Sequence, residues 1–260
     1  MELDGVTPTL DQVKILALTN YGHFTSMLVE DGRVRGLSLH MQRLARDCRV
    51  LFNVQLDIEM ARGYVRHALG EGAPNRVVRV TIYDPALDLG TIGSDANPHV
   101  LVTTRSASLT PAPPMRLQAA SYQREMPTTK HVGLFGAMQR RRAAQRDGFD
   151  DVLFLNPDGT ISEIATSNIG FVRDDTVVWP KSAYLAGVTM TLLHQARDES
   201  ILMEAITLSD LSGMDAAFAT NAATGIRPVE FVDGTHWESS KHPMLKELRE
   251  QYADIPAEAV

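Results

Sequence analysis

Two residues of this 260-residue chain, Lys130 and Glu163, stand in sequence contexts that suit covalent and electrostatic chemistry on an organic cofactor. Lys130, in PTTKHVG, can form a Schiff base if a partly buried site lowers its pKa. Glu163 lies in TISEI, after the Asp158-Gly159 turn, and a carboxylate inside a strand is costly when it faces a core. There it could pair with a pyridinium nitrogen and make the ring an electron sink. Taken alone, each residue also fits a plain interpretation: a surface lysine, and a partly exposed edge-strand carboxylate.

Three other stretches could bind a phosphate group. LAGVTMTLLHQA, residues 185–196, places Gly187 and Thr189 where a helix starts, and backbone N–H groups there suit an anion. His40 and Arg43 in LHMQRL lie three apart on one helix face, and arginine can clamp a phosphate with two hydrogen bonds. TNAATGIRPV, residues 220–229, is a small-residue loop that a ligand could approach closely. The alternatives are an ordinary helix cap, a surface ion pair and a plain loop.

The elements that must position these residues begin with a part of mixed strands and helices. A helix is predicted over 39–52 with Ser38 as its N-cap, and a second near 57–69. Strands are predicted at VKILAL, FTSMLVE, NRVVRVTIY and HVLVTTR, and the second of these closes in the Asp31-Gly32 hairpin. SASLTPAPPMR is rich in Ser, Thr and Pro, which is typical of a linker, so the domain boundary is predicted near residues 106–114.

The second part is richer in strands. Helices are predicted near 133–147, 187–197 and 243–252. Strands are predicted at RLQAASY, DVLFL, TISEI, NIGFV, TVVW, ILMEAIT, AAFAT and RPVEFV. There is no internal repeat and no regular alternation of strand and helix. The pattern favours an α+β protein of two domains, 1–110 and 111–260, with sheets built largely from hairpins.

Composition narrows the classes of function. Apolar content is 44%, net charge is −7 and no segment is dominated by a basic patch, which argues against nucleic acid as a main partner. Cys48 is the single cysteine, so an intrachain disulfide and a zinc–thiolate cluster are excluded, and the eight histidines lack ligand-like spacing. The first ten residues do not resemble a signal peptide, and no apolar run approaches the roughly 18 residues of a membrane span. We expect a cytoplasmic protein without a membrane partner.

The order and spacing of these motifs resemble the class IV (fold type IV) pyridoxal-phosphate enzymes. That family includes branched-chain aminotransferases, D-amino-acid aminotransferases and 4-amino-4-deoxychorismate lyases. The resemblance covers about residues 20–232. Its most specific part is the pattern G-x-[IV]-x-E-x-x-x-x-N, met by Gly159, Ile161, Glu163 and Asn168. The upstream Lys130 and the later L-x-G-[IV]-T, met by residues 185–189, strengthen it.

The resemblance implies a fold and a set of roles. It implies a D-amino-acid aminotransferase-like fold with a smaller N-terminal α/β domain and a larger β-rich C-terminal domain. The cofactor, pyridoxal 5'-phosphate, would sit between the domains, and the enzyme would be a homodimer. Lys130 would hold the cofactor as an internal aldimine and move the substrate's proton, and Glu163 would pair with the pyridine nitrogen. The remaining cofactor-binding residues would be Arg43, Asn168, Gly187, Val188, Thr189, Ala222 and Ala223.

Substrate contacts are where this sequence departs from its relatives. Phe24-Thr25 stands where many carry Phe-Glu, and Phe135 stands five residues after the lysine, where branched-chain enzymes have a tyrosine. Ile82 and Asp84 occupy positions where D-amino-acid enzymes place an arginine and a histidine that grip the substrate carboxylate. Arg79 matches an arginine of the branched-chain enzymes, whose companion tyrosine is Val77 here. Phe24, Arg79 and Phe135 are the candidate substrate residues.

The expected activity is transamination between an amino donor and a 2-oxo acid by ping-pong exchange of the amino group. The first alternative is a lyase of the aminodeoxychorismate type, which uses the same lysine to eliminate pyruvate. The second is a non-catalytic protein that keeps the fold, although the presence of both Lys130 and Glu163 argues against it. No metal is expected.

Overall fold

The computed structural model describes residues 1–70, 72, 74–197 and 201–260. Its helices are α1 (Leu10–Leu18), α2 (Leu37–Phe52), α3 (Ile58–Leu69), α4 (Phe135–Arg146), α5 (Val188–Ala196) and α6 (Pro243–Asp254). Its strands are β1 (Glu2–Leu3), β2 (His23–Val29), β3 (Arg33–Arg35), β4 (Arg76–Tyr83), β5 (His99–Ser106), β6 (Met115–Ser121), β7 (Asp151–Leu155), β8 (Ile161–Ile164), β9 (Asn168–Arg173), β10 (Thr176–Pro180), β11 (Ile201–Glu204), β12 (Ala216–Asn221), β13 (Gly225–Val232), β14 (Thr235–His236) and β15 (Ala257–Ala259). This mixture of helices and sheets confirms the α+β prediction.

The chain divides into two compact units. The first unit contains residues 1–108, 129–133 and 257–260, and the second contains 109–128 and 134–256. Residues 129–133, which include Lys130, therefore group with the first unit although they follow the predicted boundary in the sequence.

The first unit is an antiparallel sheet covered by helices. Its strand order is β1-β5-β4-β2, and β3 pairs separately with β15. The core joins apolar residues of β4, such as Val78 and Val80, to Met41, Leu44 and Cys48 of α2. The spacing of these three residues on α2 is the helical period that the sequence predicts.

The second unit contains a nine-stranded sheet in the order β11-β10-β9-β12-β13-β6-β7-β8, with β14 beside β13. Most neighbours are antiparallel, but β6 runs parallel to both β7 and β13, and β10 runs parallel to β11. Because α4 connects β6 to β7 and α5 lies between β10 and β11 in the chain, two crossover connections accompany the predicted hairpins. Within the described ranges, no helix combines the length and apolar character needed to cross a bilayer.

The strand predicted at VKILAL is wrong, because residues 10–18 form α1. The side chain of Thr9 accepts the backbone N–H of Gln12, and the Gln12 side chain accepts the backbone N–H of Thr9. This reciprocal capping box starts a helix at a sequence whose apolar residues also suit a strand. The short strands β1 and β15 were not predicted from the sequence.

The predicted N-cap of α2 is also wrong. The helix begins at Leu37, and its N-cap is Gly36, whose positive φ of 71° favours glycine. Ser38 instead donates its backbone N–H to the Glu258 carboxylate at 3.1 Å and its hydroxyl to the same group. A carboxylate near a helix N-terminus also interacts favourably with the helix dipole. The start of α2 is thus completed by a residue 220 positions away in the chain.

Candidate active site

The backbone around Lys130 is fixed by two elements of the first unit. Its N–H donates to Asp47 Oδ2 of α2 at 3.0 Å, and its carbonyl accepts the N–H of Phe24 at 2.9 Å. Val132 N–H donates to the Gly22 carbonyl at 2.9 Å, so the segment runs along the beginning of β2. Lys130 Nζ lies 5.0 Å from the centroid of the Phe24 ring.

Burial distinguishes Lys130 from the other lysines. The chain has five, and all are in described ranges. Lys130 is half-buried, whereas Lys14, Lys181, Lys241 and Lys246 are exposed. A Schiff-base lysine needs a partly buried site that disfavours its charged form. Of the five lysines, Lys130 is the one whose burial fits such a site.

Arg43 lies on α2 in a buried polar cluster with Thr25 and His40. The Arg43 guanidinium donates through Nη2 to Thr25 Oγ1 at 2.6 Å, and Thr25 Oγ1 lies 2.7 Å from His40 Nδ1. Arg43 is 8% exposed, and burial lowers its pKa to about 10, a shift that the Asp47 carboxylate opposes. The guanidinium is therefore charged at neutral pH. Its Nε is buried without a hydrogen-bond partner among the described residues, so it can still donate to an anion.

The cluster fixes the tautomer of His40. Burial, followed by the charges of Arg43 and Lys130, lowers the pKa of His40 well below its usual value, so the ring is neutral. Because Arg43 only donates, Thr25 accepts from Arg43 and must turn its own hydrogen toward His40 Nδ1. The ring proton of His40 is thus on Nε2, which is buried and has no acceptor among the described residues.

His23, at the start of β2, is a second buried neutral histidine. It has no exposed surface, and burial lowers its pKa to about 4, with a smaller opposing effect of Asp47. Its ring packs against Phe52 with 6.1 Å between centroids. Neither ring nitrogen has a hydrogen-bond partner in the described part of the chain. Protonation of this ring is therefore strongly disfavoured in the folded protein.

Of the candidate substrate residues, Phe24 and Arg79 lie together in the first unit. The Arg79 guanidinium carbon is 3.6 Å from the Phe24 ring centroid, and its Nε donates to Thr81 Oγ1 at 3.2 Å. Burial lowers the pKa of Arg79. None of the ion pairs found between described residues includes Arg79. Ile82 and Asp84 are buried, and Asp84 accepts the backbone N–H groups of Ala86 and Asn97.

In the second unit, Glu163 is a buried carboxylate on β8. Glu163 is 6% exposed, its Oε1 lies 3.6 Å from Arg124 Nε, and its Oε2 accepts the Leu185 N–H at 3.4 Å. Burial and the Glu163 charge raise the pKa of the neighbouring Tyr184 to about 12, so this phenol is neutral at pH 7. A buried carboxylate is tolerated where cationic and N–H partners compensate its charge.

Asn168 holds the segment that leads into α5. Its Nδ2 donates to the Leu185 carbonyl at 2.8 Å, and its Oδ1 accepts the Gly187 N–H at 3.0 Å. A Cβ on Gly187 would lie 2.4 Å from Asn168 Oδ1, so only glycine fits there without displacing that amide. Asn168 and Gly187 together thereby fix where α5 begins.

The first turn of α5 has unsatisfied donors. Val188 and Thr189 follow Gly187, which is the N-cap of the helix and makes no side-chain cap. Thr189 is fully buried, and its hydroxyl has no hydrogen-bond partner among the described residues. The first backbone N–H groups of a helix also have no acceptor within the helix. This donor set suits an anion such as a phosphate.

Ala222 and Ala223 lie in the turn between β12 and β13. Asn221 Oδ1 shapes that turn by accepting the N–H groups of Ala223 and Thr224, and Asn221 Nδ2 donates to Ser167 Oγ. Phe135 is different from the other candidates, because it starts α4 with 82% of its surface exposed.

Two residues that contact candidate residues, one in each unit, were not identified from the sequence. Asp47 lies four residues after Arg43, and this helical spacing indicates that both share one face of α2. Arg124 approaches Glu163 from a loop, and no local pattern in the sequence indicates that contact.

Comparisons with known proteins agree with this geometry. Residues 22–232 match the family model of class IV amino-transferases. A probable branched-chain-amino-acid aminotransferase of Rickettsia bellii is 22% identical over 97% of this chain and 94% of its own length. A putative 4-amino-4-deoxychorismate lyase from Legionella pneumophila has a TM-score of 0.84 at 20% identity, covering 97% of both chains. A hypothetical aminotransferase from Mycobacterium tuberculosis, solved in a PLP-bound form, has a TM-score of 0.81 at 18% identity, covering 95% of this chain and 93% of its own. The predicted family and fold type IV are confirmed.

The residues present fit the cofactor of that family, pyridoxal 5'-phosphate. The orphaned Thr189 hydroxyl and the buried Arg43 guanidinium are donors that suit a phosphate. The buried Glu163 carboxylate suits a protonated ring nitrogen, and half-buried Lys130 suits covalent attachment. The assignment of each residue to its part of the cofactor stays a prediction.

Replacing Thr189 with valine tests the phosphate assignment. Thr189→Val removes a buried hydroxyl that has no partner among the described residues, so the cofactor-free protein should keep its stability. Its dissociation constant for pyridoxal phosphate should rise about tenfold, since one hydrogen bond to a charged group is lost. Thr189→Ser, which keeps the hydroxyl, is the control and should stay within about threefold of wild type. Equal dissociation constants for the two variants in a fluorescence titration would remove Thr189 from the phosphate site.

The buried His23 predicts a dependence of stability on pH. Its pKa rises from about 4 in the folded protein to about 6.5 in the unfolded chain, so the unfolded state binds more protons between these values. The contribution of the neutral His23 ring to the stability of the folded protein is therefore complete above about pH 6.5 and is lost as the pH falls toward 4. His23 should lower the free energy of unfolding by about 2 kcal/mol between pH 7 and pH 5.

Urea unfolding at pH 7, 6 and 5 checks this expectation. His23→Phe should reduce the slope of the free energy of unfolding against pH. Part of the slope should remain, because the pKa of His40 is lowered in the same direction. His67→Phe is the matched control, since the His67 side chain is 63% exposed. A His23→Phe protein with the wild-type slope would show that His23 does not titrate in this way.

Proposed function

We propose an aminotransferase reaction for this chain, which belongs to the class IV aminotransferases, a family of pyridoxal-phosphate-dependent enzymes. The amino group would pass from an amino acid or amine to the cofactor and then to a 2-oxo acid. The curated relative of Rickettsia bellii is named for this type of reaction. The substrates in that name are those of the Rickettsia protein. Branched-chain amino acids are therefore used below only as members of a panel of donors to be tested.

The observation that carries the proposal is the position of Arg79. Its guanidinium is half-buried against Phe24, and Lys130 Nζ lies 5.0 Å from the centroid of that same ring. No ion pair between described residues engages Arg79. A buried guanidinium without a carboxylate beside it favours binding of a carboxylate from a ligand. An amino acid bound there would have its amino group and Cα near Lys130.

Each residue of the chain has a definite task in this proposal. When bound, the cofactor supplies an electron sink for the bond that breaks at the substrate's Cα. Lys130 Nζ would hold the cofactor, and its free amine would accept the proton from the substrate's Cα. Glu163 holds a proton on the ring nitrogen. Arg43 binds the phosphate.

Smaller contributions come from the segments described above. Thr189, with the backbone of Val188, donates to the phosphate, as does the turn that contains Ala222 and Ala223. Asn168 and Gly187 hold the start of α5 in place. Phe24 supports Arg79. Phe135 is largely exposed, and its proposed place near the substrate rests on the sequence prediction.

A lyase is the second candidate. The similarity to the Legionella lyase, at 20% identity, concerns the fold alone. A pyruvate-eliminating reaction would also use Lys130 and an acidic substrate, so Arg79 and Lys130 serve both reactions. The curated relative favours transamination.

A half-reaction distinguishes the two. The holoenzyme should be mixed with each of a panel of amino acids, including valine, leucine, isoleucine, D-alanine and glutamate, without any oxo-acid acceptor. A transaminase converts the bound cofactor to pyridoxamine phosphate with one donor, and the absorbance band of the aldehyde form is lost. Arg79→Gln should raise the donor concentration required by about tenfold or more, because a charge-assisted contact is removed. An unchanged band with every donor, together with pyruvate release from aminodeoxychorismate, would support the lyase.

The proposal also covers the oligomeric state, the location and the domain arrangement of the enzyme. The enzyme would act as a homodimer, which the family resemblance supports, and its proposed location is the cytoplasm. The smaller domain, predicted as residues 1–110, would contact the phosphate through α2, and the larger domain would take most of residues 111–260, without the segments 129–133 and 257–260 that group with the first unit. A non-catalytic role would apply if the cofactor bound without any half-reaction and without pyruvate release from aminodeoxychorismate.

A further inference from the structure

We propose that Asp47 is a positioning residue that sets the backbone of Lys130 relative to the helix that carries Arg43. The inference rests on the proposed function only in giving Lys130 the covalent bond to the cofactor. The contact itself belongs to the protein without cofactor and can be measured there.

The Asp47 carboxylate has no exposed surface, and its two oxygens have separate partners. Oδ2 accepts the backbone N–H of Lys130 at 3.0 Å. Oδ1 accepts two hydrogen bonds from the Arg46 guanidinium, at 2.9 and 2.7 Å. Arg46 is 52% exposed in its side chain, so it neutralises the buried carboxylate from the solvent side. Arg46 thus occupies Oδ1 only, and Oδ2 remains for the backbone N–H of Lys130.

Asp47 accepts the backbone N–H of Lys130, a group that the hydrogen bonds to β2 do not engage. On the β2 side, the Phe24 N–H donates to the Lys130 carbonyl and the Val132 N–H donates to the Gly22 carbonyl. These bonds hold the carbonyl of Lys130 and the residues after it, but not its N–H. The Asp47 bond supplies this remaining constraint from α2, and a charged acceptor makes it one of the stronger kinds of hydrogen bond. The direction in which the lysine side chain leaves the backbone is then set from both elements.

The same carboxylate acts on the phosphate-binding side of the helix. Arg43 and Asp47 are four residues apart, so they share one face of α2. The negative charge of Asp47 opposes the lowering of the Arg43 pKa by burial. One buried acid therefore both favours the charged state of Arg43 and fixes Lys130. A cofactor bound through its phosphate to Arg43 would meet a lysine at a defined distance from that arginine.

A purely structural role is the alternative, in which Asp47 only pairs with Arg46. The two roles differ in what removal of each partner does. Arg46→Met takes away the exposed partner and leaves the bond to Lys130. Asp47→Ala takes away all three hydrogen bonds, the one from Lys130 and the two from Arg46, and Asp47→Asn leaves one amide oxygen that can still accept from Lys130.

The first measurement uses the cofactor-free protein. Hydrogen–deuterium exchange of the peptide that contains residues 129–133 should be about tenfold faster at Lys130 in Asp47→Ala, because a hydrogen bond to a charged acceptor is lost. Asp47→Asn should lie between this variant and wild type, and Arg46→Met should match wild type. Asp151→Ala is the matched control, since Asp151 is a buried carboxylate of the second unit that accepts the Val152 N–H and the Thr166 hydroxyl.

The second measurement is the rate of covalent attachment after mixing with pyridoxal phosphate, followed by absorbance and by borohydride trapping at timed intervals. It should fall about tenfold in Asp47→Ala and a few-fold in Asp47→Asn, while Arg46→Met and Asp151→Ala keep the wild-type rate. If Asp47→Ala does not fold, as judged by circular dichroism, the comparison of Asp47→Asn with Arg46→Met decides.

Wild-type exchange and attachment in folded Asp47 variants would overturn the proposal, as would equal losses in Arg46→Met. Failure of the proposed function gives a different result. Wild-type protein would then form no adduct at Lys130, while the exchange measurement would still report on the Asp47 contact.

Discussion

A row of buried polar side chains on one helix imposes the main constraint on the first unit. His40, Arg43 and Asp47 lie on α2 and are 8% exposed or less, although the helix also packs Met41 and Leu44 into an apolar core. Burying such groups without partners would cost several kcal/mol each. Asp47 accepts from its neighbour Arg46, but other partners come from elsewhere in the chain: Thr25 of β2 for Arg43, and the backbone N–H of Lys130 for Asp47. The same buried contacts therefore contribute to the folding of this unit and fix the backbone position of Lys130.

The second unit also contains a buried charged group whose partners come from other elements. Glu163 on β8 is a buried carboxylate whose neighbours are Arg124 and the backbone N–H of Leu185. Asn168 on β9 connects that same segment to Gly187 at the start of α5. The Thr189 hydroxyl is left without a partner in the described residues. A carboxylate, a helix N-terminus and an unused hydroxyl are what a charged ring bearing a phosphate requires.

The sequence predicted most elements whose signals are local. The helix over 39–52 has a clear apolar period, and the strand at 168–172 has β-branched and aromatic residues that lie on β9. Prediction failed where a second local signal competed, as at α1, whose capping box outweighs a strand-like composition. It also failed where the partner is distant in sequence. Glu258 at the start of α2, Asp47 at Lys130 and Arg124 at Glu163 are long-range contacts, and no periodicity indicates them.

Covalent attachment of pyridoxal phosphate to Lys130 can be examined by borohydride reduction followed by peptide mass mapping. The holoenzyme should be reduced, digested and examined for the phosphopyridoxyl group on each of the five lysines. We predict the label on the peptide that contains Lys130, and its loss in Lys130→Ala. A stoichiometric label on Lys14, Lys181, Lys241 or Lys246, or no label although pyridoxal phosphate is bound, would contradict attachment at Lys130.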